Sequence, residues 1–214
     1  MRLILASASP RRRELLAQAG YEFEVRPAHI NEDLRDGEDP IAYVTRLARE
    51  KAEAVLRQMA EEPQPELASP GELVVLGADT TVTLDGHILA KPEDEADARR
   101  MLTLLSGRTH RVITGAAVVS AGCPMSPVLG HGKPSPGLRC QVAAEVTAVR
   151  FLTLSADEIA AYVATGEPMD KAGAYAIQGR AAKWIPRIEG DYFNVVGLPL
   201  ALVDSMLESI AAGK

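Results

Sequence analysis

Several residues of this chain stand where their type runs against local preference, and each points to chemistry. The first group is Ser7-Ala8-Ser9-Pro10-Arg11-Arg12-Arg13. Ser9 before Pro10 opens a helix, with Ser at the N-cap and Pro at the first helical position. A helix N-terminus carries partial positive charge and unpaired N–H groups, so each cation in the first turn costs roughly 0.3–1 kcal/mol. Here Arg11, Arg12 and Arg13 occupy that turn. The arrangement is unfavourable unless the side chains point into solvent or a strong anion sits in front of them. Polyphosphate suits the second case, because helix N–H groups and guanidinium forks both match phosphate oxygens. On that reading Ser7, Ser9 and Arg12 are phosphate-binding.

Lys51 is the second anomaly. On a helical wheel Ile41, Val44, Leu47, Ala48, Ala52, Val55 and Met59 span one apolar arc, and Lys51 is the only charge inside it. Arg46, Arg49, Glu50, Glu53 and Arg57 fall on the opposite side. A lysine so placed either snorkels to the surface or faces a polar cleft that holds an anion. Third, the apolar run Leu73 to Ala78 ends in Asp79-Thr80-Thr81. Ligand sites in α/β sheets gather at the carboxyl ends of strands. Asp79 is therefore a cap or a catalytic or metal-binding group, and no helix signature follows to favour the cap. Lys91-Pro92 ends the next hairpin and would return an ammonium toward Asp79. Glu32-Asp33 is an acidic pair in a loop, either solvated or a contributor to a metal site.

Gln178 lies between Ile177 and Gly179 in a segment of small residues, Glu167 to Gly179, where a backbone can approach a ligand closely. Its amide matches the N3–H and O4 edge of uracil or thymine, and when flipped it would also satisfy cytosine. No GxxxxGK[ST], GxGxxG, HExxH or GxSxG pattern occurs, which disfavours P-loop and acyl-transfer chemistry. His29, His87, His110 and His131 form no metal pattern, and His110 reads as structural.

The elements that must position these residues follow from pattern and punctuation. Leu3–Ala6 is a short buried strand, the helix after Ser9 stops before Gly20, and Asp39-Pro40 starts a helix to about Met59. Leu73–Ala78 is a strand, and Val82–Ala90 is a hairpin turning at Asp85-Gly86. A helix spans about Asp94 to Leu105. Arg111–Ala121 and Gln141–Leu152 alternate as paired strands. Ser155 to Glu158 forms a capping box for a helix that stops at Gly166. Trp184–Ile188 is a strand, and Pro199 starts the last helix. Residues 61–71 and 122–139, rich in Pro and Gly, read as surface loops inserted in a single domain, 1–214. The class is α/β with a mixed twisted sheet flanked by helices.

Composition narrows the function. The 214 residues carry 23 Lys+Arg against 29 Asp+Glu, for a net charge of −6. That balance argues against general nucleic-acid binding, and any bound anion needs a local basic cluster. Hydrophobic residues at 47% supply a core, built mostly from aliphatics since only one Trp, five Tyr and three Phe occur. The apolar run after Arg2 is too short for a signal peptide. Val112–Gly130 lacks charge but is broken by Gly and Pro, so it reads as strand then loop rather than a membrane span. Cys123 and Cys140 read as free thiols of a reducing, cytoplasmic protein.

Taken in order, LILASASPRRRELLAQAG (3–20), REKA (49–52), LGADTTV (76–82), LAKP (89–92), LSGRTHRVITG (105–115), GEPMDKAGAYAIQG (166–179) and IEGDYFNVVGLPL (188–200) resemble the Maf family of nucleotide pyrophosphatases. The one departure in the Ser-x-Ser motif is Ala8, where Gly is common. The resemblance implies a Maf/ITPase-like fold of two lobes with a central cleft. It also implies hydrolysis of a nucleoside triphosphate to monophosphate and pyrophosphate with a divalent cation, Mg²⁺ or Mn²⁺. Asp79 is then the proton acceptor. From the residues themselves we expect the metal to bridge the triphosphate to Asp79 and Glu32, with the cations Arg12, Lys51 and Lys91 spreading the charge on the phosphates. The subfamily acting on dTTP and UTP carries Arg, Thr and Gln at three specificity positions, here Arg11, Thr80 and Gln178. The sister subfamily, which prefers 7-methyl-GTP, usually has a bulky aromatic at the first. The alternatives are a house-cleaning pyrophosphatase for modified or purine nucleotides and a non-catalytic nucleotide-binding regulator of cell division. A homodimer is compatible with the resemblance, though no segment marks an interface.

Overall fold

A computed structural model describes residues 1–62, 73–121 and 138–212. The two expected surface loops fall almost wholly outside the described residues, as does Cys123; Cys140 is exposed with a free thiol. The first strand, β1 (Arg2–Leu5), leads into α1 (Pro10–Gln18) and a short strand, β2 (Phe23–Val25), that the sequence pattern did not announce. An irregular stretch then reaches α2 (Pro40–Glu61), followed by β3 (Leu73–Leu84), β4 (His87–Leu89), α3 (Glu95–Leu105), β5 (Thr109–Ala121) and β6 (Leu138–Arg150). The last part holds α4 (Ala156–Val163), three 3₁₀ turns between Glu167 and Trp184, β7 (Arg187–Glu189), α5 (Tyr192–Val196) and α6 (Leu200–Ala211).

The seven strands form one mixed sheet in the order β2-β1-β3-β5-β6-β7, with β4 on the free part of β3. Strands β1, β2 and β3 run parallel, while the pairs β3–β5, β5–β6 and β6–β7 are antiparallel. The interior strand β1 is buried on both faces, which is why it reads as an uninterrupted apolar run. Alternation then sorts its side chains between two layers. Leu3 and Leu5 join Val74, Leu76 and Ala78 against Leu15, Leu16 of α1 and Val203, Leu207 of α6. Ile4 and Ala6 join Val75 and Val119 against Ala52, Val55 and Met59 of α2. A third cluster gathers Val82, Leu84 and Leu89 with α3, α4, Phe151 and Trp184. Truncating a fully buried leucine of these layers, such as Leu16 or Leu76, to Ala would cost about 2–5 kcal/mol. The expected division into two lobes is not marked by separate sheets.

Several boundaries differ from the sequence reading for identifiable reasons. Trp184 ends a 3₁₀ turn rather than starting a strand, because its ring packs edge-on against Tyr162 and the strand begins only at Arg187. Ile41 is exposed while Arg46 is buried, the reverse of the wheel, because the segment before α2 folds over Arg46. The capping box at Ser155 and the Asp85-Gly86 hairpin form as expected. Among the described residues, no helix is long and apolar enough to cross a membrane.

The larger correction concerns Asp79. It does not end a strand: β3 runs on to Leu84. It is β1 that stops. Its ladder with β3 closes at Leu5 and Leu76, β4 begins pairing only at Val82, and so residues 77–81 have a partner on the β5 side alone among the described residues. A crevice opens in the sheet at the carboxyl end of β1, and both faces of β3 can present side chains to it.

Candidate active site

The crevice opens into a cavity of about 580 Å³. All the candidates named from the sequence line it: Ser7, Ser9, Arg11, Arg12, Glu32, Lys51, Asp79, Thr80, Lys91 and Gln178. The walls are the loop into α1, the segment before α2, the bare edge of β3, the end of β4 and the turns around Gln178.

At its centre lies a three-residue ion cluster. Lys51 Nζ donates to Asp79 Oδ1 at 2.6 Å and meets Glu32 Oε1 at 2.7 Å. Lys51 is 8% exposed, so it does not snorkel outward; its chain runs along the sheet and its ammonium ends in the cavity. Lys51 can reach because α2 lies directly on the sheet at two glycines. Gly77 and Gly115 face it, and a Cβ on Gly115 would stand 2.4 Å from the carbonyl oxygen of Val44. Asp79 pairs with Gly115 across the ladder and shares that face. Burial pushes the Glu32 carboxyl up, but the hydrogen bond from Lys51 and the charges of Lys51, Lys91 and Arg12 outweigh it and hold Glu32 below its usual range.

Arg12 lines the cavity and also carries contacts within the protein. Its Nε donates to the Gly197 carbonyl at 2.8 Å, Nη1 to the Ala78 carbonyl at 2.8 Å and to Ser7 Oγ at 3.2 Å, and Nη2 to Thr80 Oγ1 at 3.0 Å. The guanidinium thus takes a carbonyl on the bare edge of β3 and ties it to the start of α1 and the end of α5. Burial lowers its pKa from the ordinary arginine value, while the charge of Asp79 works in the other direction. Thr80 is equally committed, since its hydroxyl also shares a hydrogen bond with Thr114 Oγ1 at 2.9 Å. Ser9 caps α1 through the Arg12 amide, and Ser7 Oγ accepts from the Ser9 amide. Arg11, Lys91 and Gln178 line the cavity with exposed or half-exposed side chains.

Two glycines near Gln178 are required by packing within the protein, while Ala172 and Ala176 line the cavity. A Cβ on Gly173 would meet Val82 at 2.9 Å, and one on Gly179 would meet the Glu167 carboxylate at 1.9 Å. That carboxylate accepts from the Arg180 amide and the Tyr162 hydroxyl, which fixes the turn carrying Gln178. His110 is buried, with Nε2 at 2.8 Å from the hydroxyl of Tyr175 in the cavity wall.

Sequence reasoning missed Asp170, Lys171 and Tyr43, which also line the cavity. Asp170 and Lys171 form an ion pair, and adjacent opposite charges amid Ala and Gly were the signal available for them. The lining holds five cations (Arg11, Arg12, Lys51, Lys91, Lys171) against four carboxylates (Glu32, Asp33, Asp79, Asp170). In a chain of net charge −6 the lining is thus locally positive by a single charge. It holds too little surplus charge to neutralise a triphosphate by itself. Among the described residues no cluster of three or more metal-ligating side chains occurs. Two carboxylates converging on one point are nevertheless the donor set that suits Mg²⁺ or Mn²⁺, which usually take one or two carboxylates and complete their shell with substrate phosphate and water.

Known proteins match this chain over nearly its whole length. The profile of the family described as Maf-like protein matches residues 2–210. The chain is 48% identical over 207 residues to the dTTP/UTP pyrophosphatase of Koribacter versatilis, covering 97% of this chain and 93% of that one. It is 50% identical over 211 residues to the dTTP/UTP pyrophosphatase of Geobacter sulfurreducens, covering 99% and 97%. The protein of that name from Moorella thermoacetica is 49% identical over 207 residues, with 96% and 93% covered.

Proposed function

This chain belongs to the Maf family, and from that premise we propose that it hydrolyses nucleoside triphosphates, dTTP and UTP above all, to the monophosphate and pyrophosphate. The observation that carries the reading is the Glu32–Lys51–Asp79 cluster in a cavity with five cations on its walls. The single sheet carrying strands from Arg2 to Glu189 supports taking the chain as one domain.

The triphosphate tail lies along Lys91, Arg11 and the start of α1, where Ser9 and the first-turn amides offer donors. Asp79 accepts a proton from a water molecule as that water's oxygen bonds to the α-phosphorus. The bond from the α-phosphorus to the α–β bridging oxygen breaks, and pyrophosphate leaves with that oxygen. A positioned general base of this kind typically contributes about 10²–10⁴-fold. Lys51 orients Asp79 through its hydrogen bond at 2.6 Å, and its ammonium offsets charge growing on the phosphates. Glu32 and Asp79 would hold the divalent cation, which when bound supplies the positive charge that the lining lacks. Arg12 acts mainly by fixing β3, α1 and Gly197 around the substrate.

Base selection falls to Arg11, Thr80 and Gln178. Gln178 offers its amide to the N3–H and O4 edge of the pyrimidine, while Thr80, committed to Arg12 and Thr114, shapes the wall. A hydrogen-bonding site rejects a mismatched edge strongly, because buried polar groups are then left unpaired. The test is pyrophosphate release with Mn²⁺ from dTTP, UTP, CTP and 7-methyl-GTP. The expected order places dTTP and UTP first, and a preference for 7-methyl-GTP would overturn the selectivity. Asp79→Asn is expected to bind dTTP and lose turnover; a fully active variant would refute the role of Asp79. No pyrophosphate from any of the four would favour a non-catalytic binding role.

A further inference from the structure

Glu32 presents a difficulty. Its side chain is half exposed and sits in an irregular stretch, 26–39, yet its carboxylate must stay on Lys51 to serve the site. An exposed salt bridge alone contributes about 0–1 kcal/mol, too little to order a loop whose residues each cost about 1–2 kcal/mol to fix. Something else must hold the segment, and α2 supplies it through two side chains. Tyr43 donates its hydroxyl to the Glu32 carbonyl at 2.9 Å. Arg46 donates Nη2 to the Asp33 carbonyl at 3.0 Å. Consecutive carbonyls of the loop are thus gripped from one helix, and Lys51 of that same helix takes the Glu32 side chain.

Arg46 is itself firmly placed. Its Nε and Nη2 meet the two carboxylate oxygens of Glu38 at 2.6 and 2.7 Å, and Nη1 reaches Glu50 at 3.2 Å. The side chains of Arg46 and Glu38 are 8% and 9% exposed, and the guanidinium lies 5.6 Å from the centre of the Tyr43 ring. The bidentate fork fixes direction as well as distance, so the remaining hydrogen of Nη2 points at the loop. Glu38 also accepts from the Arg35 amide, closing the far end of the segment.

We propose that Tyr43 and Arg46 are positioning residues that hold Glu32 at the metal-binding edge of the cavity. Neither touches a reacting atom. The assignment rests on the reading of Glu32 as a metal-facing carboxylate. Loss of either grip lets the loop carry Glu32 away from Lys51 and Asp79, and the apparent affinity for the cation falls while the machinery at Asp79 stays intact.

The experiment compares Tyr43→Phe, Arg46→Lys and Glu32→Gln with the wild type. The first two readouts are the Mn²⁺ concentration giving half-maximal dTTP hydrolysis and the turnover at saturating Mn²⁺. The third is amide hydrogen exchange across residues 30–36 of the metal-free protein. Tyr43→Phe and Arg46→Lys are expected to speed exchange in that segment by about tenfold and to raise the half-maximal Mn²⁺ several-fold. Turnover at saturating metal stays within about twofold of wild type. Tyr43→Phe removes a single oxygen and keeps the test open should Arg46→Lys fail to fold. Unchanged exchange in Tyr43→Phe would overturn the proposal. So would faster exchange with an unmoved Mn²⁺ dependence, provided Glu32→Gln shifts that dependence. If Glu32→Gln leaves it unmoved, the reading of Glu32 itself has failed and the assignment falls with it.

Discussion

A Cβ built on Gly77 would stand 2.1 Å from the carbonyl oxygen of Ala48, so α2 rests on β3 backbone against backbone. Two residues along the strand is Asp79, and three residues along the helix is Lys51. The closeness of the two elements is what allows their side chains to meet at 2.6 Å. Gly77→Ala must push the helix away, and overpacking of this kind costs about 1–3 kcal/mol. The variant is expected to lose that much stability in urea unfolding and to lose dTTP turnover more than tenfold. Wild-type values for both would show that the seat has room to give.

Lys51→Met keeps most of the apolar stem and removes the charge between Glu32 and Asp79. A buried pair broken on one side usually costs about 3–5 kcal/mol, but these carboxylates face a water-accessible cavity and can rehydrate. A smaller loss of about 1–2 kcal/mol is expected, together with a fall in kcat of about 100-fold or more, on the scale of removing one preorganised stabilising group. Steady-state kinetics beside thermal melting checks the split. Unchanged kcat would remove Lys51 from the machinery.

Much of this was legible in the residues because local rules carried it. The Ser9-Pro10 start, the capping box at Ser155 and the turn at Asp85-Gly86 depend on neighbours in the chain, and all three form as read. Lys51 was legible as a charge in an apolar arc. What was not legible depended on contacts distant in sequence. Arg46 looked solvent-facing because a wheel cannot show a loop folding back over a helix. Asp79 looked like a strand end because the apolar run stops there, whereas β3 continues through threonines that suit a strand and β1 is what turns aside. The internal acceptors of Arg12 at Ala78 and Gly197 lie 66 and 185 residues away, so its part in tying the crevice together was not legible.

Arg12→Lys separates charge from geometry. The ammonium preserves the positive charge but cannot serve Ser7, Ala78, Thr80 and Gly197 together. Each acceptor left buried and unpaired costs about 1–3 kcal/mol. The expected result is a stability loss of about 2 kcal/mol and a raised KM for dTTP, since the crevice edge loosens. If charge alone mattered, Arg12→Lys would match wild type in both measurements.

His110 gives the protein a pH dependence that can be assigned to one group. Burial pushes its imidazole down to about 4, and Phe151 and Tyr175 pack edge-on against the ring. Above about pH 6.5 the imidazole is neutral in both the folded and unfolded chain, so His110 costs nothing. As pH falls below 6.5 the unfolded chain takes up a proton that the folded protein refuses until about pH 4, and stability drops through that window. The shift corresponds to about 3 kcal/mol when complete. Urea unfolding at pH 7, 5.5 and 4.5 reads the slope against the background of titrating carboxylates. His110→Gln keeps a partner for the Tyr175 hydroxyl without a titrating ring, so its stability is expected to fall less steeply over the same range. Parallel curves for the two proteins would mean that the folded state accommodates the imidazolium after all.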